Sequence, residues 1–337
     1  MSCFKNVALG ESMEKLDIKD RKILYELDRD SRQSFSKLGK KVGLHKDSVA
    51  YRVKKLQENG IIHHFETGID FSKLGYNIYR YYFNYQFITP EKKKEIIDHL
   101  VQSKYSIWVT SLEGQYDLAV YMAVKDINDF YHYWDDVFRK YSKYFSKKTF
   151  SVFCGTKYYG YSFLLDESLK ERTSCAPISE IGGKQVIQID SIDFELLELI
   201  ITNPRMPIIK LAETLKVSIQ TINNRIRNLI KSGVITGFGI EINFSKLEYK
   251  LYRLDINLNE NVMKRPIIDY IVKNPHTLNV YESIGDAADI EIEIILNDVK
   301  QIHTLIESIL LKFSNSIKDY KYHTTLIRHK SIPIPEI

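Results

Sequence analysis

The sequence predicts an α+β protein made of two copies of one unit, each a winged helix-turn-helix domain followed by a ferredoxin-like β-α-β-β-α-β domain. Three observations carry that prediction: a long internal repeat, a pair of short helices joined by a tight turn in each copy, and one order of strands and helices after it. Adding 173 to a position in the first half lands on a matching residue in the second. Asp17 meets Asp190, Asp20 meets Asp193, Leu24 meets Leu197, Arg32 meets Arg205, Arg52 meets Arg225, Leu56 meets Leu229 and Gly60 meets Gly233. Phe71-Ser72-Lys73-Leu74 returns as Phe244-Ser245-Lys246-Leu247, and Tyr79-Arg80 as Tyr252-Arg253, without a gap from Leu16 to beyond Arg80. Self-similarity of this kind reads as a tandem duplication.

The first helix is expected from about Ile18 to Arg29, with Asp17 as N-cap and Ile23, Leu24 and Leu27 inward. Its counterpart runs from about Ile192 to Thr202 behind Asp190 and is ended by Asn203-Pro204. Phe35 to Val42 reads as a shorter helix closed by Gly43. The helix that follows carries Val49, Val53 and Leu56 on one side and Asp47, Ser48, Tyr51, Lys54 and Lys55 on the other. In the second copy the pair is Ile208 to Leu215 and Ser218 to Lys231. Ser218 is a better cap than His45, and Lys216 stands where Gly43 does, so that turn is expected to differ. Gly60 and Gly233 suit left-handed helix ends, and short strands then begin at Ile61-Ile62 and Val234-Ile235.

The ferredoxin-like order is read from Asn77 to Phe87, Pro90 to Gln102, Ser106 to Leu112, Asp117 to Val124, Asp126 to Lys143 and Lys147 to Tyr159. It repeats as Lys250 to Leu258, Lys264 to Val272, Leu278 to Ile284, Asp289 to Leu296, Asp298 to Lys312 and Ile317 to His329. The expected organisation is an N-terminal extension (1–15), helix-turn-helix domains at 16–66 and 188–239, ferredoxin-like domains at 67–165 and 240–330, and a tail (331–337). Residues 166–187, polar and containing Gly182-Gly183, are expected to be a flexible linker.

At 337 residues, with 44% hydrophobic and 27% charged side chains, the chain has the make-up of an ordinary soluble protein. Its three cysteines, Cys3, Cys154 and Cys175, are scattered without metal-ligand spacing, which points to a reducing compartment. No stretch approaches a membrane span and residues 1–14 lack a signal-peptide core, so a cytoplasmic protein without membrane contact is expected. The net charge of +5 says little by itself. Locally, however, Lys37, Lys40, Lys41, Lys46, Arg52, Lys54 and Lys55 face a single acid, Asp47, and phosphate neutralisation supplies much of any affinity for DNA.

The expected partner is therefore double-stranded DNA, met by Lys46, Ser48, Tyr51, Arg52, Lys54 and Lys55 in the first unit. In the second, Gln220, Thr221, Asn224, Arg225, Arg227 and Asn228 are expected at the interface. Side-chain amides pair bidentately with adenine edges, so this second face suits base reading. Arg52 and Arg225 lie beside the apolar stripe, where phosphate contact and an intramolecular ion pair are both open. No phosphate-cradling glycine motif and no nucleophile elbow is present, and neither an enzyme activity nor a cofactor is expected. His63-His64 follow a helix end with no second ligand pair nearby, so they read as surface or wing residues and no metal is expected.

Leu38, Leu44, Val49, Arg52, Leu56 and Gly60-Ile61-Ile62, followed by a ferredoxin-like domain with Gly114-Gln115-Tyr116-Asp117, resemble the leucine-responsive regulator/AsnC family of transcription factors. The resemblance implies DNA binding by the third helix, with pairing and effector sensing by the ferredoxin-like domain. It implies an amino acid as effector, held around Gly114, Gln115, Tyr116 and Asp117, and in the second unit around Gly285 and Asp289. The second turn, Gly285-Asp286-Ala287-Ala288-Asp289, is one residue longer than the first. An internal pseudo-dimer or a homo-oligomer is expected, since symmetric pairing is the common solution. The same architecture also resembles siroheme decarboxylase, a tetrapyrrole enzyme and the alternative reading. That branch carries a His-Asn-Tyr-x-Arg stretch that neither Lys104-Tyr105-Ser106-Ile107-Trp108 nor His276-Thr277-Leu278-Asn279-Val280-Tyr281 matches.

Overall fold

The structure, a computed structural model, describes residues 16–165, 175–183, 185–286 and 288–331. The expected N-terminal extension and all of the tail after Ser331 lie outside the described residues. In the first half the order is α1 (Ile18–Arg29), α2 (Phe35–Val42), α3 (Lys46–Glu58), β1 (Ile62–Ile69), β2 (Asn77–Tyr85), α4 (Pro90–Gln102), β3 (Ser106–Gly114), β4 (Leu118–Val124), α5 (Ile127–Tyr141) and β5 (Phe145–Tyr158). After β6 (Ser179–Ile181) the second half gives α6 (Ser191–Thr202), α7 (Ile208–Leu215), α8 (Ile219–Lys231), β7 (Ile235–Ile242), β8 (Lys250–Leu258), α9 (Lys264–Ile271), β9 (Thr277–Gly285), β10 (Ile290–Leu296), α10 (Val299–Phe313) and β11 (Ile317–Ser331). The two halves thus share one element order, and β6 is additional, in the segment expected to be a free linker.

The helices start and stop for local reasons. Asp17, Asp190 and Ser218 accept the backbone N–H three residues on, at 2.8, 2.8 and 3.0 Å, satisfying donors a helix start leaves open. Gly43 ends α2 at φ 67°; Lys216 ends α7 in the same left-handed conformation at φ 54°, where a Cβ is strained. The turn therefore keeps its shape and Lys216 bears the cost.

The strands after α3 and α8 do not fold back as a wing within their own unit. β1 and β7 pair with each other, antiparallel, in a two-stranded ribbon between the halves. Hydrophobic alternation shows that a segment is a strand, not which strand it will pair with, so this exchange was hidden. Its packing is exchanged as well. Ile240 and Ile242 from β7 lie in the core of the first helix-turn-helix, and Ile69 from β1 lies in the core of the second. Arg32 and Arg205, equivalent by the repeat, complete the exchange. The Arg32 guanidinium donates to the carbonyls of Pro204 (2.5 Å) and Met206 (2.9 Å), and Arg205 donates to those of Ser31 (2.6 Å) and Gln33 (3.5 Å).

The two ferredoxin-like sheets join edge to edge at both ends, so eight strands close into a ring, β2-β4-β3-β11-β8-β10-β9-β5 and back to β2. The last strand of each half is long because it serves both. Residues 145–153 of β5 pair with β2 and residues 151–158 with β9; residues 317–324 of β11 pair with β8 and 323–331 with β3. Helices α4 and α5 cover one side of the first sheet through Phe83, Ile96, Trp134 and Val137, and α9 and α10 cover the second through Leu254, Ile267, Ile302 and Ile309.

The opposite faces meet inside the ring and carry buried charge. Arg80 donates two hydrogen bonds to the Glu291 carboxylate, at 2.7 and 2.9 Å, and one to Ser151 Oγ at 2.8 Å. Arg253, the repeat equivalent of Arg80, also pairs with Glu291 and donates to Tyr121 Oη at 2.9 Å. Bidentate guanidinium–carboxylate geometry is what a charge needs when it leaves water.

Candidate nucleic-acid interface

The third helix of each unit presents its polar side outward, as its spacing predicts. On α3, Lys46, Ser48, Tyr51, Lys54 and Lys55 are exposed while Val49, Val53 and Leu56 are buried. Tyr51 is 68% exposed, an aromatic ring in solvent that the core does not use. Lys54 lies 3.6 Å from Glu58 one turn on, a surface pair of little energetic weight. On α8, Gln220, Asn224, Arg227 and Asn228 are exposed and Thr221 is half-buried. Gln220 Nε2 and Arg227 Nη1 both reach Asn224 Oδ1, at 3.3 and 3.4 Å, so the three polar heads form one row.

Arg52 and Arg225 are placed differently from the rest. Arg52 Nη1 sits 2.7 Å from both Asp17 Oδ2 and Asp20 Oδ1, and Arg225 Nη1 sits 2.9 and 2.8 Å from Asp190 and Asp193. The bonds to Asp20 and Asp17 raise the Arg52 guanidinium above its ordinary value, and those to Asp193 and Asp190 do the same for Arg225. Of the two roles open from sequence, the structure puts both side chains in the intramolecular ion pair, fastening the third helix to the first. The signal was present: Asp17, Asp20 and Arg52 repeat together as Asp190, Asp193 and Arg225.

The residues expected around an effector lie where the two halves join. Gly114 (φ 117°) pairs with His323 of β11, and a Cβ there would stand 2.9 Å from the Tyr322 carbonyl oxygen. Gly285 (φ 126°) repeats this against Ser151, with Phe150 O at 2.7 Å. Both glycines are thus required by close strand approach between halves. The Asp117 carboxylate accepts the Tyr85 N–H at 2.7 Å, and Asp289 accepts that of Leu258 at 2.7 Å. Tyr116 is buried, its ring stacked on Tyr82 at 4.8 Å. Gln115 donates to Tyr116 Oη, while its Oε1 is buried with no hydrogen-bond partner among the described residues.

His63 and His64 are exposed, as expected, but not isolated. The irregular register between Ile62 and His64 brings both imidazoles to Glu241 of β7, a ligand type that sequence distance concealed.

Comparison with known proteins agrees with this arrangement. A model of the AsnC-type helix-turn-helix domain matches residues 16–57, and one of a winged helix-turn-helix DNA-binding domain matches residues 189–236. The crystal structure of the siroheme decarboxylase NirDL superposes with a TM-score of 0.61, covering 95% of this chain and 94% of that one; at 13% identity this shows a shared fold. An uncharacterized HTH-type transcriptional regulator of Pyrococcus furiosus is 35% identical over 101 residues, 30% of this chain and 68% of the relative. The HTH-type transcriptional regulator Ptr1 of Methanocaldococcus jannaschii is 33% identical over 112 residues, 33% of this chain and 74% of the relative. These relatives match about a third of the chain, and the chain belongs to the leucine-responsive regulator/AsnC family of helix-turn-helix transcriptional regulators.

Proposed function

We propose that this DNA-binding transcriptional regulator works in the cytoplasm as an internal pseudo-dimer that reads an asymmetric operator. The observation that carries the reading is the difference between two outward faces held on one exchanged frame. In α3, Lys46, Lys54 and Lys55 with Ser48 and Tyr51 suit phosphates and one or two guanine contacts. In α8, Gln220, Thr221, Asn224, Arg227 and Asn228 suit base edges in the major groove. A homodimer would present two identical helices and favour a palindrome; here the two helices are free to differ, and they do.

Selection of bound oligonucleotides followed by salt titration tests this. Lys54→Ala should weaken binding alike on all sequences and reduce the salt slope by about one unit. Gln220→Ala or Asn224→Ala should cost roughly 1–3 kcal/mol on the best site and relax preference in one half of it. A palindromic consensus, or equal salt-slope losses in all three variants, would refute the division of labour.

An amino-acid effector near Gly114–Asp117 is the second part of the proposal. Its support is the family, the position of the turn where the halves join, and the buried, unpartnered Gln115 Oε1. Calorimetry against the amino acids, with Gln115→Ala as control, should give a binding signal that the variant loses; silence across the set removes the effector. The alternative, a tetrapyrrole enzyme, rests on the whole-chain likeness to NirDL. Siroheme added to the purified chain should give no stoichiometric Soret shift; such a shift would favour the enzyme.

A further inference from the structure

We infer that His63, His64 and Glu241 form a binding site for one borderline divalent transition-metal ion, of the zinc, cobalt or nickel class, that ties the two halves together. The ligand atoms of the three residues all lie within 4.8 Å of one another. His64 Nε2 is 3.2 Å and His63 Nδ1 3.8 Å from the same carboxylate oxygen, Glu241 Oε2. An ion held at about 2.0–2.2 Å by tetrahedrally disposed nitrogen and oxygen donors needs them about 3.3–3.6 Å apart. The two separations from Glu241 Oε2, 3.2 and 3.8 Å, lie on either side of that range. Imidazole nitrogen excludes the hard cations, which take oxygen almost alone, and three protein ligands leave a position for water.

Adjacent residues of a regular strand point to opposite faces and cannot share an ion. Here the register moves from Ile62↔Ile242 to His64↔Glu241, two residues on β1 against one on β7. That extra residue is a bulge, a device that re-aims side chains, and it turns both histidines toward one glutamate. Arg328 of β11 pairs with the other oxygen of that carboxylate, Glu241 Oε1, which orients Oε2 toward the imidazoles. The site has no twin. The positions related by the repeat are Thr236, Gly237 and Gly68, and none carries a ligand side chain of this kind. A symmetric dimer of single units would have either two such sites or none.

The histidines follow α3 directly, whereas Glu241 belongs to the second half, so a bound ion would fasten the strand leaving the first recognition helix to the other unit. It stands independently of how the operator is read. Untagged full-length chain titrated with Co²⁺ should develop visible absorption that saturates at one ion per chain, and Zn²⁺ should displace it. Zn²⁺ should also raise the thermal midpoint of the chain. His63→Gln and His64→Gln, both at exposed positions, each remove a ligand and should weaken binding by more than the roughly 10–100-fold that loss of a mere orienting partner costs. Glu241→Gln should do the same, while His303→Gln should bind as the parent does. No saturable uptake at micromolar metal would overturn the site and leave a plain imidazole–carboxylate contact. Uptake that survives the His63→Gln/His64→Gln double variant would overturn it too, as adventitious binding elsewhere.

Discussion

Removing the crossed arginines should loosen the frame that holds the two helix-turn-helix domains without unfolding either. Arg32 makes two hydrogen bonds to carbonyls of the second domain, at 2.5 and 2.9 Å, and Arg205 makes one good and one long bond in return, at 2.6 and 3.5 Å. Each guanidinium also lies over aromatic rings, Arg32 over Phe238 at 5.2 Å and Arg205 over Phe35 at 4.6 Å. Charge-assisted bonds contribute about 1.5–3 kcal/mol each and a cation over a ring about 0.5–1 kcal/mol, both reduced by partial exposure. Each single alanine variant should therefore cost roughly 2 kcal/mol and the pair roughly 3–4 kcal/mol in urea unfolding. The β1–β7 ribbon remains, so the domains stay attached but rock more freely. On operators with one or two base pairs inserted between half-sites, the parent should lose about tenfold in affinity, about 1.4 kcal/mol, and the double variant clearly less. Equal discrimination by parent and double variant, or a stability loss below about 0.5 kcal/mol, would refute the clamp.

Four further outcomes follow from the same contacts. Glu291→Gln leaves Arg80 and Arg253 buried without their shared carboxylate and should cost about 3–5 kcal/mol in the urea midpoint. Burial, with Arg253 alongside, holds the His323 imidazole down to about 3, so the stability it contributes is complete above pH 6.5 and lost as pH falls toward 3; His323→Gln should flatten that acid limb. Burial pushes the Asp255 carboxyl up to about 6 against the opposing charges of Arg253 and Arg80, so its contribution is lost as pH rises from about 4 through 6, and Asp255→Asn should remove that opposite slope. Lys216→Gly relieves a left-handed Cβ and should stabilise by about 0.5–1 kcal/mol, read as a higher thermal midpoint.

Local order was legible and pairing was not. The caps at Asp17, Asp190 and Ser218, the left-handed ends at Gly60 and Gly233, and the buried stripe of Val49, Val53 and Leu56 follow from neighbouring residues, and the structure has them. The repeat displayed Arg32 with Arg205 but not their crossed contacts, because an offset in sequence carries no information on which copy a side chain touches. Ser179–Ile181 pairs with β5 inside the segment expected to be free coil; a three-residue strand has too little alternation to register. Gly114 and Asp117 read as a turn in the sequence; that the glycine also meets a strand from the other half, and the carboxylate the Tyr85 N–H, could not be read there, since both contacts are set by tertiary pairing. His63, His64 and Glu241 lay too far apart in the chain for their types to be joined.

The exchanged ribbon also orders events during synthesis. β1 must wait for β7, whose first residue, Ile235, emerges 173 positions after Ile62. At about 5–20 residues per second the first helix-turn-helix therefore spends roughly 10–35 seconds on the ribosome with the places of Ile240 and Ile242 unfilled. The nascent first half meanwhile presents its unpaired β1 and sheet edges to any neighbour, including the same segment on a second nascent chain. Joining the two units in one polypeptide raises the effective concentration of the right partner once it appears, and slow release from translation, more than stability of the finished protein, is where this architecture is exposed to mispairing.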